Sequence, residues 1–274
     1  MLKIDSKIKL NNELEIPLFG LGVYLMDTGN ETRQAVRIAL ETGYRLIDTA
    51  SMYGNERDVV LAVKESSIPR QEIFVTTKLW NSDHGYDRAL RAFDKSMNRL
   101  ALDYVDLYLI HWPVERLRKE TWRAMEKIYR DGRCRAIGVC NYKSSHLEEL
   151  LDLAEVVPAV NQVEFSPFLY QKDLLEYCHS HHIRLEAYSP LTRTTKFNDP
   201  TIQQIANKYQ KSPAQIMIRW VLQHEVIVIP KSSNREHIRE NAEVFDFSIS
   251  AEDMTVLDGL NQNYHISWDP TDVR

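Results

Sequence analysis

The chain has 274 residues, 43% of them hydrophobic, and a formal net charge of −5 at pH 7. This length suits one enzyme-sized domain over residues 1–274 with a substantial core, and the acidic balance argues against nucleic acid or an anionic membrane surface as the main partner. No run approaches the roughly 18 apolar residues of a membrane span, the opening MLKIDSKIKL lacks the apolar stretch of a secretory signal, and Cys134, Cys140 and Cys178 show neither disulfide-like nor metal-like spacing, so a cytoplasmic protein with reduced thiols is expected.

Lys7 to Leu10, an Asn11-Asn12 turn and Glu13 to Ile16 predict a small starting hairpin. After it, short apolar runs alternate with longer amphipathic ones. The strand candidates are 18–22, 45–49, 73–79, 105–111, 136–141, 159–165, 185–189 and 226–231. Between them the period becomes helical: Leu90, Phe93, Met97 and Leu100 fall on one face, and later Leu147, Leu150, Leu151 and Ala154 do the same. Ser212-Pro213-Ala214-Gln215 reads as an N-cap, a proline in the first turn and a capping-box partner. Strands alternating with helices predict parallel pairing. Eight such units predict an α/β fold, a (β/α)8 TIM barrel, here with the N-terminal β-hairpin and an extra C-terminal helix.

Gly20 and Gly22 form a G-x-G, but Leu25 stands where a third glycine would complete the dinucleotide fingerprint, and no phosphate-binding G-x-x-x-x-G-K-[ST] occurs. A nucleotide must therefore be held in another way. Polar groups stand where the apolar runs give out: Asp48 and Tyr53 in IDTASMYGNE, Lys78 in VTTKLW and His111 in LYLIHWP. A barrel gathers such strand-end residues into its active site. Taken singly, each has a plainer reading, as surface packing for Tyr53, a solvated charge for Lys78, a turn cap for Asp48 and a structural histidine for His111. Taken together they fit carbonyl reduction. A phenol donates a proton, a neighbouring lysine cation draws its pKa toward the working range, a carboxylate orients the lysine, and an imidazole positions the carbonyl oxygen. The hydride must come from a cofactor, since no side chain supplies one.

The motifs LFGLGVY, GYRLIDTASMYGNE, VTTKLW, DYVDLYLIHWP, RAIGVCNY, NQVEFSP, AYSPL and IPKSSNREHIREN occur in order along nearly the whole chain. On these the chain resembles the aldo-keto reductase superfamily, the barrel-shaped NAD(P)H-dependent carbonyl reductases. The resemblance implies a catalytic tetrad of Asp48, Tyr53, Lys78 and His111, with Tyr53 as general acid in reduction. It places Cys140, Asn141 and Gln162 at the nicotinamide carboxamide, Tyr188 on the ring, and Ser189 and Leu191 along the pyrophosphate. Lys231, Ser232, Ser233 and Asn234 fall at the adenosine 2′-phosphate, and Glu240 and Asn241 at the adenine. Tyr24, Trp80 and Trp112 are implied substrate-pocket walls, with Trp268 as a rim.

Three positions depart from the family pattern. Cys140 replaces a serine and offers a weaker hydrogen bond, Thr192 replaces the glycine that commonly follows SPL, and His237 replaces an arginine, losing the guanidinium fork. NADPH is expected as cofactor, with NADH possible and a reduced margin between them. The substrate is expected to be a small-molecule carbonyl in an open pocket, because the stretches after His111 and Asn261 are short. Arg116, Arg118 and Lys119 read as a solvated helix start, His179, His181 and His182 as an outer-helix cluster rather than a metal site, and the chain as a monomer. Two other classes stay open: an aldolase with Lys78 as Schiff-base amine, and a nucleotide-binding regulatory or structural barrel with little turnover.

Overall fold

The computed structural model describes residues 2–273. Chain order begins with the antiparallel pair β1 (Lys7–Lys9) and β2 (Glu15–Pro17), in which Ile8 faces Ile16. The connection is wider than the expected two-residue turn and runs over 10–14, closed by a bond that Leu10 N–H donates to Leu14 O. Glu13 takes a left-handed φ of 65° and the Asn12 side chain accepts from Leu14 N–H, which is how asparagine stabilises a turn.

Eight parallel strands follow: β3 (Gly20–Gly22), β4 (Leu46–Asp48), β5 (Phe74–Leu79), β6 (Val105–Ile110), β7 (Cys134–Cys140), β8 (Val160–Glu164), β9 (Arg184–Tyr188) and β10 (Ile227–Val228). Each pairs with the next in sequence, and the sheet closes where Phe19 bridges Val228, Val228 N–H donates to Leu18 O and Gly22 N–H donates to Pro230 O. Gly22 serves this closure, and Gly20 the close pairing of β3 with β4. A Cβ at Gly20 would lie 2.5 Å from the Leu46 side chain, and one at Gly22 would lie 3.0 Å from Ile229 O. β10 is shorter than the expected 226–231 because Pro230 has no N–H to extend a ladder.

The strands are buried along nearly their whole length, as parallel strands covered by helices must be. Between the strands run α1 (Asn30–Thr42), α2 (Glu56–Glu65), α3 (Tyr86–Leu100), α4 (Arg118–Arg130), α5 (Ser144–Leu151), α6 (Lys172–Ser180), α7 (Pro200–Tyr209) and α8 (Pro213–Gln223). After β5, α3 buries Phe93, Met97 and Leu100 on the expected face, while Leu90 is only half-buried. α5 buries Leu147 and Leu150 and ends before Ala154. In α8 the predicted cap is present: the Ser212 side chain accepts from Gln215 N–H, and the Gln215 side chain accepts from Ser212 N–H. After β10 come α9 (Arg235–Ala242) and the extra helix α10 (Ala251–Asp258). Among the described residues no helix is long and apolar enough to cross a membrane.

Candidate active site

The carboxyl ends of the strands open into a cleft of about 660 Å³, lined by Asp48, Tyr53 and His111 on its floor and by Tyr24, Trp80, Trp112 and Trp268 around them. Backbone ladders put these groups there. Asp48 is the last residue of β4, and Lys78 lies one residue before the end of β5. His111 follows β6 and is held by its N–H bond to Leu79 O at 3.1 Å. Tyr53 ends a short 3-10 turn, 51–53, that stops at Gly54 with φ 74°, the left-handed conformation glycine adopts freely.

The Lys78 ammonium is wholly buried and uses all three of its hydrogens. It donates to Asp48 Oδ1 at 2.5 Å, Thr49 O at 3.0 Å and the Tyr53 hydroxyl at 3.3 Å. Tyr53 therefore accepts from the lysine, and its own O–H is left to donate elsewhere. Burial works against the Lys78 charge, but the adjacent Asp48 carboxylate outweighs it and keeps the amine protonated. The expected fall in the phenol's pKa is corrected by the structure. Burial pushes Tyr53 upward, and the Lys78 cation, partly cancelled by Asp48, recovers only some of that rise. At neutral pH the phenol is a held proton donor. His111 is pushed well below its usual range, first by burial and then by the Lys78 charge, so its ring is neutral at pH 7. Its Nδ1 is buried without a partner among the described residues, and the ring meets Trp80 edge-on at 5.2 Å and Tyr53 at 5.6 Å.

Beside this floor lie the residues expected at the nicotinamide. Asn141 follows β7 with a left-handed φ of 63°, a conformation asparagine tolerates. Its amide donates to His111 O at 3.0 Å and accepts from the Tyr188 hydroxyl at 2.9 Å. Gln162 sends its amide hydrogens to Asp48 Oδ2 and Glu186 Oε2, each at 2.9 Å. Asn141, Gln162, Tyr188, Ser189, Leu191 and Lys231 all line the cleft with Asp48, Tyr53 and His111, while Lys78 is buried beneath them. Cys140 does not line it: it too is buried beneath, and burial pushes its thiol well above the usual range. Ser232, Ser233, Asn234, His237, Glu240 and Asn241 stand outside the cleft at and along α9, whose N-cap is the Asn234 side chain accepting from His237 N–H at 3.0 Å.

Several lining residues carried no sequence signal: Leu25, Met52, Asn81, Arg193 and Thr194. Glu186 and Glu164 were also missed. Glu164 accepts from the backbone N–H groups of Ile266 and Ser267 at 2.7 and 2.9 Å and so moors the tail that carries Trp268, whose ring lies 5.2 Å from that of Trp112. Arg116 and Arg118 are outside the cleft: Arg116 pairs with Glu115, and Arg118 is buried in a bridge to Glu149. His181 stacks on Tyr177 at 4.3 Å, and among the described residues no group of three or more His, Cys, Asp or Glu is placed to hold a metal.

Comparison with known proteins places this geometry. The model of the Aldo/keto reductase family matches residues 20–262. The chain is 51% identical over 270 residues to the glyoxal reductase of Bacillus subtilis (strain 168), covering 98% of each. A solved aldo-keto reductase from a Medee basin deep-sea metagenome library superposes with a TM-score of 0.94 at 45% identity, over 98% of this chain and 100% of that one. The Bombyx mori aldo-keto reductase in complex with NADP superposes with a TM-score of 0.91 at 34% identity, over 98% and 97%.

Proposed function

The chain belongs to the aldo/keto reductase family and is an oxidoreductase of carbonyl compounds, and we propose that Tyr53 delivers the proton while NADPH serves as reductant. The observation that carries this is the buried Lys78 ammonium bound to Asp48 at 2.5 Å and to the Tyr53 hydroxyl at 3.3 Å on the cleft floor. The residues present fit a nicotinamide dinucleotide. Gln162 and Asn141 bring amides to the cleft, Tyr188 a ring, and Lys231 a cation suited to phosphate. Gln162 Oε1 has no bond to any described residue, which leaves an acceptor for a carboxamide. Bound there, the reduced nicotinamide supplies the hydride.

The chain's own groups do the rest. Tyr53 gives its proton to the carbonyl oxygen, and the phenolate left behind is stabilised by the wholly buried Lys78 charge 3.3 Å away. Asp48 holds the ammonium in place, and the neutral His111 ring positions the carbonyl oxygen beside the phenol. Tyr24, Trp80 and Trp112 form apolar walls that favour small aldehydes, ketones or dicarbonyls, and the similarity to a glyoxal reductase supports the dicarbonyls. An aldolase role for Lys78 is disfavoured, because a Schiff base needs a neutral, accessible amine and this one is charged and wholly buried. The reading extends to one domain over 1–274 acting as a cytoplasmic monomer without nucleic acid. One buried apolar cluster spanning barrel and helices, three buried free thiols and the acidic net charge support it. The test is NADPH and NADH oxidation across a panel of aldehydes, ketones and 1,2-dicarbonyls. NADPH-dependent turnover is expected, and a protein that binds NADPH yet reduces no carbonyl would favour the regulatory barrel.

A further inference from the structure

Glu186 is a second carboxyl group at the base of the catalytic floor, and the proton chemistry above does not use it. It lies on β9 with no exposed surface, in register with Gln162 on β8. One oxygen accepts from Gln162 at 2.9 Å, while the other is buried without a partner among the described residues. A carboxyl group in such a place is costly, and an apolar side chain would pack there more favourably. Its cost is reduced by neutralisation: burial, followed by the nearby Asp48 charge, pushes Glu186 up to about 8. Lys78 therefore faces one carboxylate, Asp48, and Glu186 stays an uncharged acceptor at neutral pH.

What this acceptor accomplishes is visible in the Gln162 amide. A primary amide has two N–H donors on one side and an acceptor oxygen on the other, and either end can face a cleft. With Asp48 alone beneath it, one N–H would be satisfied and the second would be free to turn toward the ligand. Two acceptors, Asp48 Oδ2 and Glu186 Oε2, take both hydrogens at 2.9 Å and leave only Oε1 for the cleft. The amide is thereby fixed in one of its two orientations.

We propose that Glu186 is a positioning residue that fixes Gln162 as a pure acceptor toward the carboxamide NH2 of the nicotinamide, and so sets which way that carboxamide is turned. This rests on the reading that Gln162 faces the nicotinamide. No contact between Glu186 and the cofactor is involved. The effect passes through the amide that touches both.

The test compares two reduced cofactors in binary complexes, read by quenching of protein fluorescence: NADPH, and its analogue with an acetyl group in place of the carboxamide, which has no NH2 to donate. Glu186→Met, close in volume but without a strong acceptor, should weaken NADPH about tenfold, the scale of one buried hydrogen bond, and leave the analogue within about twofold. Glu186→Gln keeps an acceptor oxygen and should hold NADPH within about threefold of the parent, well short of that loss. Glu186→Leu carries the same test should the methionine variant fold poorly. Equal weakening of both cofactors would make Glu186 merely structural and overturn the proposal, as would no weakening of either. Gln162→Leu separates the two layers. If it discriminates between the cofactors and the Glu186 variants do not, the positioning role alone falls. If Gln162→Leu does not discriminate, the placement of Gln162 at the nicotinamide falls, and the role of Glu186 with it.

Discussion

At the cleft floor Lys78 and Glu186 have no exposed surface and their contacts run to other buried groups, whereas Lys231 and 233–237 at the start of α9 are exposed and bond chiefly to one another and to Glu31. On the proposed reading the two regions serve one ligand by different physics. On the floor, low polarizability makes each charge interaction strong and each loss expensive. At α9, water and salt screen every charge within about 10 Å at ordinary ionic strength. On that reading, reaction chemistry is built into the barrel as it folds, and the proposed grip on the far end of the cofactor is left to groups that can change at little cost to the fold.

The contrast is most open to refutation at Tyr53. Tyr53→Phe removes the proton donor and retains the ring against Tyr24, so turnover should fall by about 10²- to 10⁴-fold, the usual contribution of a positioned general acid. NADPH affinity should stay within about twofold. Stopped-flow reduction and fluorescence titration read the two quantities separately, and unchanged turnover would remove Tyr53 from the chemistry. Lys78→Met asks whether the floor is as costly to disturb as its burial implies. It strands the Asp48 carboxylate, an uncompensated buried charge, and should lower unfolding free energy by about 3–5 kcal/mol in urea titrations. A loss below about 1 kcal/mol, the level of a surface pair, would place the floor in the same class as α9.

Much of the floor was legible because barrel chemistry collects at strand ends, and Asp48, Lys78, His111 and Asn141 each stand where an apolar run stops. The Ser212 cap was legible for a similar reason, since all its parts lie within four residues of one another. Glu186 was not. Nothing in LEAYSP marks it, and its meaning comes from Gln162, which is 24 residues from Glu186 and 114 from Asp48 in sequence. Glu164 escaped notice likewise, because the tail it moors begins 102 residues later. The direction of the Tyr53 shift was misread for another reason. Neighbouring charges can be guessed from motifs, but desolvation depends on burial, and here burial is the larger influence.

Acidity offers a third way to sharpen the contrast. Glu186 is raised from 4.5 to about 8 in the folded protein. Its protonated form is favoured by folding, so the associated stability is complete below the unfolded value and is lost as pH rises through the folded one. Between those limits the folded chain binds a proton that the unfolded chain has released, and stability should decline by at most about 1.4 kcal/mol per pH unit from this source. The step belongs to the Asp48 and Glu186 pair as a whole. In Glu186→Gln it should disappear, so urea unfolding from about pH 5 to about pH 8 should show the variant gaining on the parent as pH rises. Parallel curves would mean that Glu186 carries no proton of its own.

The smallest effect is expected at His237, and it tests the other half of the comparison. This residue occupies the third position of α9 and is exposed, beside Glu236 in the same first turn. His237→Arg adds a fixed charge and a planar fork suited to a phosphate. It also sets a cation at a helix N-terminus, which the helix dipole disfavours by about 0.3–1 kcal/mol. Affinity and stability should therefore move in opposite directions. NADPH should bind about two- to fivefold more tightly, the range of an exposed ion pair, and NADH should be unchanged. The gain should shrink as salt is raised, because water and ions reach the pair. Equal tightening of both cofactors would turn His237 away from the 2′-phosphate. A gain that survived high salt would mean that α9 closes into a dry contact when the cofactor is bound, and the division between a built-in floor and a screened rim would no longer hold.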